Sequence, residues 1–256
     1  MPDHSANLNL MTKAVLSAGD ILHRDFEEIQ RLQSSLEGAG KLTRKALIRA
    51  NYKLVDELTE GRPDYSIEST LTGEVVGKDN TRKWLVNPIS GLQNFTRGNS
   101  NWVISLGLQY KVETVIGVIY CPCRNELYKV IKGDGAYARQ VKLRVAPIQK
   151  VEDFVVAIDF RFGEGKSHPQ DLARLINSFA EIKSTGTPSL DLINLASGII
   201  DGIIAPEINP IDIAPSKLFL TESGGLTAPL NKAGGLIGSG FKGFESFRDL
   251  VQGHFG

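Results

Sequence analysis

A chain of 256 residues with 29 Lys plus Arg against 29 Asp plus Glu carries no net charge, which excludes a nucleic-acid or membrane surface built from bulk charge. Its 41% hydrophobic content fits a globular protein with a substantial core, either one large α/β unit or two closely packed halves. No stretch approaches the roughly 18 uncharged apolar residues of a membrane span, and the N-terminal Met-Pro-Asp-His-Ser-Ala-Asn has neither the basic nor the apolar region of a secretory leader.

Leu8, Met11, Val15, Ala18, Leu22, Phe26 and Ile29 recur at three- and four-residue steps, the stripe of a long amphipathic helix. Residues 35–40 read as a polar, Gly-containing loop. A second helix follows, with Leu47, Ala50, Leu54, Val55 and Leu58 inward and Gly61-Arg62-Pro63 as its stop. Residues 65–67 suit a short strand, and 70–80 are rich in turn residues.

Trp84-Leu-Val86 reads as a short buried strand that Asn87 and Pro88 end, and Gly91 opens a turn into a helix start. Strand, tight turn and helix N-terminus make a natural anion seat, because backbone N–H groups and the helix dipole converge there. A phosphate-and-metal site at such a turn would carry carboxylates; this one has Asn87 and Ser90.

Three strands are expected over residues 102–110, 114–120 and 126–131, with hairpin connections at 111–113 and 121–125. Cys121 and Cys123 flank Pro122 in the second connection, too short a loop to close a disulfide readily. Both are expected to be reduced thiols of a cytoplasmic protein. Gly133-Asp134-Gly135 is a turn.

Beyond it the pattern changes to strand–helix alternation. Strands are expected at 154–158, 182–184 and 202–205. Helices are expected around Leu172, Leu175, Ile176 and Phe179, at 189–197, at 211–223 closed by Gly224-Gly225, and around Phe244, Phe247, Leu250 and Val251. The fold class is α/β, with an α+β half over 1–148 and an α/β half over 149–256, packed as one unit.

The chain resembles the inositol monophosphatase family, especially its bacterial extragenic-suppressor-type members. The resemblance rests on Trp84-Leu-Val-Asn-Pro-Ile-Ser-Gly-Leu-Gln-Asn-Phe95, Gly117-Val-Ile-Tyr-Cys-Pro122, Asn125-Glu-Leu-Tyr128, Lys132-Gly-Asp-Gly-Ala136 and Leu190-Asp-Leu192. Asp201-Gly202, Asp212-Ile-Ala214 and Glu222-Ser-Gly-Gly225 extend it over nearly the whole length. It implies an αβαβα layered sandwich, a homodimer, and Mg²⁺-dependent hydrolysis of an inositol or sugar phosphate. It also implies a protein partner, since extragenic-suppressor-type members bind transcription machinery.

The family motif Asp-Pro-(Ile/Leu)-Asp-Gly-Thr maps onto Asn87, Pro88, Ile89, Ser90, Gly91 and Leu92. The resemblance makes Asn87 and Ser90 metal positions and gives Ile89 a metal-binding carbonyl. It places phosphate at Gly91 and Leu92, with Leu92 where the water-activating Thr belongs. A further metal-binding Glu falls at Thr70, with Glu68 the nearest acid, and an Asp falls at Ala46. The late Trp-Asp pair survives as Ile211-Asp212. Substrate contacts fall at Gly186, Thr187 and Ala205, with Glu207 near the last.

Mg²⁺ needs anionic oxygen donors. Asn87, Ser90, Thr70 and Ala46 supply no charge and Asp212 supplies one, so Mg²⁺ binding is expected to be weak or absent. Leu92 removes a hydroxyl that would orient the attacking water. The expectation is a lapsed phosphatase kept for binding or regulation. The alternative is a phosphomonoesterase with a site rebuilt from Asp212, Glu68 and Glu207, which would require the three carboxylates to converge. A third reading is a metal-free seat for a small anion, with Lys41 or Arg44 supplying charge. Against all three stand plainer roles: Asp212 capping its helix, Asn87-Pro88 ending a strand, Asp191 and Asp201 serving structure, and Lys41, Arg44 and Lys45 as a solvated run.

Overall fold

The computed structural model describes residues 4–32, 36–159, 173, 175–230 and 235–255. Two long helices open the chain, α1 (His4–Arg31) and α2 (Leu36–Gly61). The first stripe is the one expected: Met11, Val15, Ala18, Leu22, Phe26 and Ile29 are all buried. The expected loop over residues 35–40 is instead the start of α2. Ala39, Thr43, Ala46 and Ala50 bury a continuous face from that first turn onward, and this packing outweighs the cost of glycine at 38 and 40, about 1 kcal/mol each against alanine.

An eight-stranded sheet follows, in the order β2-β1-β3-β4-β5-β6-β7-β8. Its strands are β1 (Tyr65–Ser69), β2 (Gly73–Val75), β3 (Asp79–Ser90), β4 (Val103–Tyr110), β5 (Glu113–Cys121), β6 (Glu126–Ile131), β7 (Gly135–Ala138) and β8 (Val141–Lys142). β3 runs on past Asn87-Pro88 to Ser90, so the pair does not end the strand. The ladder with β4 skips from Asn87–Ser105 to Ser90–Val103, and Pro88 sits in that irregularity, where its missing N–H costs no ladder bond. The short helix α3 (Leu92–Thr96) comes next.

A second sheet runs β10-β9-β11-β13-β12, from β9 (Val155–Ile158), β10 (Glu181–Lys183), β11 (Gly202–Ala205), β12 (Gly225–Pro229) and β13 (Leu236–Gly240). Helices α4 (Pro188–Ala196) and α5 (Pro210–Glu222) lie between the sheets, and α6 (Phe244–Phe255) covers the outer face of the second. The expected helix around Leu172 falls mostly outside the described residues; Phe179 lies beside Phe247 in the core under α6.

The apolar clusters give the layer order. Ile104, Leu106 and Leu108 of β4 face α1 and α2, while Val103 on the other face packs with Leu190, Ile193 and Phe219 of α4 and α5. Leu192, Leu195 and Leu220 then face Ala157, Ile203 and Ala205 of the second sheet, whose far side holds Phe154, Phe247 and Val251. The result is the expected αβαβα sandwich. Gly107 allows the central layer to sit close, since a Cβ there would lie 3.0 Å from the Pro215 ring. Among the described residues no helix is long and apolar enough to cross a membrane. Cys121 and Cys123 are free thiols, as expected.

Candidate functional site

The C-terminal end of β3 meets the N-terminal turns of α4 and α5. Asn209 caps α5 by accepting from the Ile211 N–H at 3.0 Å, and Pro210 fills the first helical position. Asp212 is therefore not the cap. It is half-buried in the first turn, where the helix dipole favours its charge. Ser90 Oγ donates to Asp212 Oδ2 at 2.9 Å and Ser189 Oγ donates to Oδ1 at 2.8 Å. The Asp212 carbonyl also accepts from Ser105 Oγ at 3.2 Å and Ser189 Oγ at 3.1 Å. Thr70 Oγ1 donates to Asn87 Oδ1 at 3.1 Å, and its N–H donates to the Val86 carbonyl at 3.0 Å.

Gly91 takes φ 90°, in the left-handed region, and a Cβ there would lie 2.3 Å from Thr187 Oγ1 and 2.8 Å from the Asn101 carbonyl. Only glycine fits this turn. Asn94 Nδ2 reaches the Asn101 and Thr185 carbonyls at 2.7 Å each and Thr187 Oγ1 at 3.0 Å. Thr187 Oγ1 donates to the Asn101 carbonyl at 2.7 Å. The β3–α3 turn is thus tied to the segment before α4.

Those bonds join Thr70 to Asn87 and Ser90 to Asp212, and Asn87 and Ser90 stand three residues apart at the end of β3. Ile89 is buried beside them in β3, and Leu92 is 40% exposed at the start of α3. Thr187 and Ala205 are fully buried, Thr187 in the network just described and Ala205 in the core between the sheets. Gly186, at φ 73°, turns the chain into that network. Ala46 is buried between α1 and α2. Lys41 lies on exposed α2, paired with Glu37 at 2.6 Å.

Glu68 is drawn elsewhere. Lys83 Nζ donates to it at 3.1 Å and reaches Glu74 at 2.6 Å. Glu207 and Asp212 both line a cavity of about 260 Å³ with Pro188, Ile208 and Asn209. Among the described residues no three His, Cys, Asp or Glu side chains form a group that could hold a metal, so the three-carboxylate convergence of a rebuilt site is not formed.

A sequence model of the inositol monophosphatase family matches residues 4–241. The chain belongs to the inositol monophosphatase family. It is 35% identical over 240 residues to an inositol-1-monophosphatase of Mesorhizobium japonicum, covering 92% of this chain and 90% of that one. It is 29% identical to the Nus factor SuhB of Haemophilus influenzae, covering 91% and 88%. The crystal structure of the extragenic suppressor protein suhB of Bartonella henselae superimposes with a TM-score of 0.86 at 27% identity, over 98% of each chain.

Two serines at the family site escaped the sequence. Ser189 lies in the first turn of α4 and Ser105 in mid-strand, and only the layered packing brings them to Asp212. The signal for Ser189 was slight: a small polar residue in the first turn of a mostly apolar helix, two positions after Thr187. Among the described residues the hydrogen-bonded set at the junction is one carboxylate (Asp212), one amide (Asn87), the four hydroxyls of Thr70, Ser90, Ser105 and Ser189, and backbone carbonyls. Such a set orients neutral and hydrogen-bonding groups. It supplies little negative charge, and so does not fit a Mg²⁺ ion.

Proposed function

We propose that this member of the inositol monophosphatase family has lost the metal-dependent hydrolytic site and serves as a binding or regulatory protein. One observation carries the reading: among the described residues Asp212 is the one carboxylate in the junction's hydrogen-bonded network, and serine hydroxyls donate to both its oxygens, Ser90 to one and Ser189 to the other. Each absent carboxylate forfeits roughly 4 kcal/mol of attraction per unit charge at about 4 Å with an effective dielectric of about 20. Leu92 offers no hydroxyl to hold a water. Mg²⁺ accordingly binds weakly or not at all, and no hydrolytic step is routed through it. Relatives bearing the name Nus factor SuhB support a protein partner, and the family resemblance supports a homodimer.

The test is calorimetric titration with Mg²⁺, with phosphate release from inositol 1-phosphate followed on the same sample. The expected result is no saturable binding at millimolar Mg²⁺ and no release above the buffer rate. The quadruple variant Thr70→Glu, Asn87→Asp, Ser90→Asp, Leu92→Thr should gain Mg²⁺ affinity on the same fold. Wild-type turnover that Asp212→Asn abolishes would overturn the reading and point to a rebuilt site around Asp212 and Glu207, the two acids that share a cavity.

A further inference from the structure

The far edge of the eight-stranded sheet carries a group of cations that the chain does not match. The two cations of β3 are held by acids, Arg82 by Asp79 at 2.8 Å and Lys83 by Glu68 at 3.1 Å and Glu74 at 2.6 Å. Lys132, just past β6, pairs with Glu113. Lys129 of β6, Arg139 at the turn from β7 to β8 and Lys142 of β8 have no acidic partner among the described residues.

Register brings these three together. Lys129 pairs with Tyr137 and Tyr137 with Lys142, so the three side chains form a row on one face of the sheet. Lys142 lies back along β7: a Cβ on Gly135 would stand 3.0 Å from its Nζ and 3.6 Å from the Tyr137 ring. Lys129, Gly135, Tyr137 and Arg139 line an open recess of about 330 Å³, together with Leu8 of α1 and Ile131. That size is within the range of small-molecule sites, about 300–1,000 Å³.

The recess is short of negative charge. Lys129 is half-buried and makes no hydrogen bond within the described residues. An ammonium that has given up part of its water without gaining a partner favours an incoming anion. Of the nearby acids, Glu222 is taken up by the N–H groups of Gly133 and Gly135 at 2.9 and 3.1 Å. Asp134 lines the recess, and its carbonyl accepts from the Tyr137 hydroxyl at 3.2 Å. Three cations against that one carboxylate leave the recess positive. Lys129 and Lys142 spring from strands two spacings apart, roughly 10 Å, so an anion charged at several points along its length engages them better than a compact one. Phosphate suits both residue types, as a fork for arginine and a point charge for lysine.

We propose that this recess binds an oligophosphate chain, free or as part of a nucleotide, held by Lys129, Arg139 and Lys142. Lys129 pairs with Val118, whose side chain packs with α1, whereas Asp212 belongs to α5 on the other side of the sheet. The recess is therefore separate from the family site and does not depend on whether that site is active.

The probe is sodium tripolyphosphate, titrated into isotope-labelled full-length protein in buffer free of divalent metal and followed by amide chemical shifts. Sodium chloride at matched ionic strength is the comparison. Tripolyphosphate should shift, saturably, the amides of residues 129–142, and inorganic phosphate should bind there roughly ten-fold more weakly, the scale of one hydrogen bond to a charged group. Lys129→Gln should weaken tripolyphosphate by a similar factor. Lys242→Gln, which removes the same charge from an exposed position just past β13, should leave the affinity unchanged. ATP distinguishes the two sources of the chain: tighter binding than tripolyphosphate supports a nucleotide with its base on Tyr137, and equal binding supports the phosphate chain alone. No saturable shift at 129–142 at millimolar tripolyphosphate, shifts that chloride reproduces, or shifts confined to residues 90–95 would each overturn the proposal, and none of these needs a variant to fold. Inorganic phosphate binding as tightly as tripolyphosphate, or equal weakening by Lys129→Gln and Lys242→Gln, would overturn it too.

Discussion

Asp191 stands in the first turn of α4, 1% exposed, with one carboxylate oxygen lacking a hydrogen-bond partner among the described residues. Burial pushes its carboxyl up to about 7; a hydrogen bond from Thr185 opposes the rise and the nearby Asp159 adds to it. In the unfolded chain the same group titrates near about 4. The folded state therefore holds a proton that the unfolded state has released, and between those values each rise in pH weakens the fold. Urea unfolding of wild type should show stability falling from about pH 4 to about pH 7. Asp191→Asn, which keeps the shape and cannot ionise, should be more stable than wild type at pH 8 by on the order of 1–3 kcal/mol, with the gap closing toward pH 4. Parallel curves for the two proteins would show that the carboxyl does not titrate in this range. A structural role for Asp191 was legible in the sequence, because Leu190-Asp-Leu192 sits inside an apolar helix. Its proton was not, because the partner Asp159 lies more than thirty positions earlier and meets it only when β9 and α4 pack.

The turn between β3 and α3 shows the same division at the level of elements. Asn87, Ser90 and Asp212 were readable as a group because family motifs name them by spacing. The path of the backbone was not: Pro88 marks an end to a strand reader, yet β3 carries it through an irregular ladder to Ser90. Strands β7, β8, β12 and β13 escaped as well. Each is short, and its residues alternate too little to declare a period before neighbours supply the ladder. Gly91 was readable as a turn residue, but the reason only glycine fits comes from Thr187, nearly a hundred positions later. Gly91→Ala should cost at least about 2 kcal/mol, since it adds the left-handed backbone penalty to a clash with Thr187 Oγ1 and the Asn101 carbonyl. Denaturant melts would measure this. The amides of 185–187 should shift along with those of 90–95, because the clash lies between the two segments. A loss under about 0.5 kcal/mol, ordinary for a surface change, would mean that the turn relaxes freely.

At the scale of the whole molecule, the boundary near residue 149 divides the two sheets but not the cores. One apolar cluster takes Val103, Ile119, Tyr128 and Val130 from the first sheet and Leu190, Ile193, Leu218 and Phe219 from the helices of the second half. Phe219 is fully buried there, edge-on to Tyr128 at 6.5 Å between ring centres. The same helix sends Leu220 into the cluster on the second sheet. Neither half can bury its inner face without the other, so 1–148 and 149–256 should unfold together. Phe219→Ala should cost about 3–5 kcal/mol, the range for emptying a large aromatic site in a close-packed core. Calorimetry should show one transition moved to lower temperature, with the van't Hoff and calorimetric enthalpies still equal. Two separated transitions in the variant would show that each half keeps a core of its own. The sequence displayed the change of pattern between the halves, and read alone it suggests a boundary. The central helix layer makes them one folding unit, and its two faces cannot be told apart in the sequence of α5, where apolar residues run on both sides.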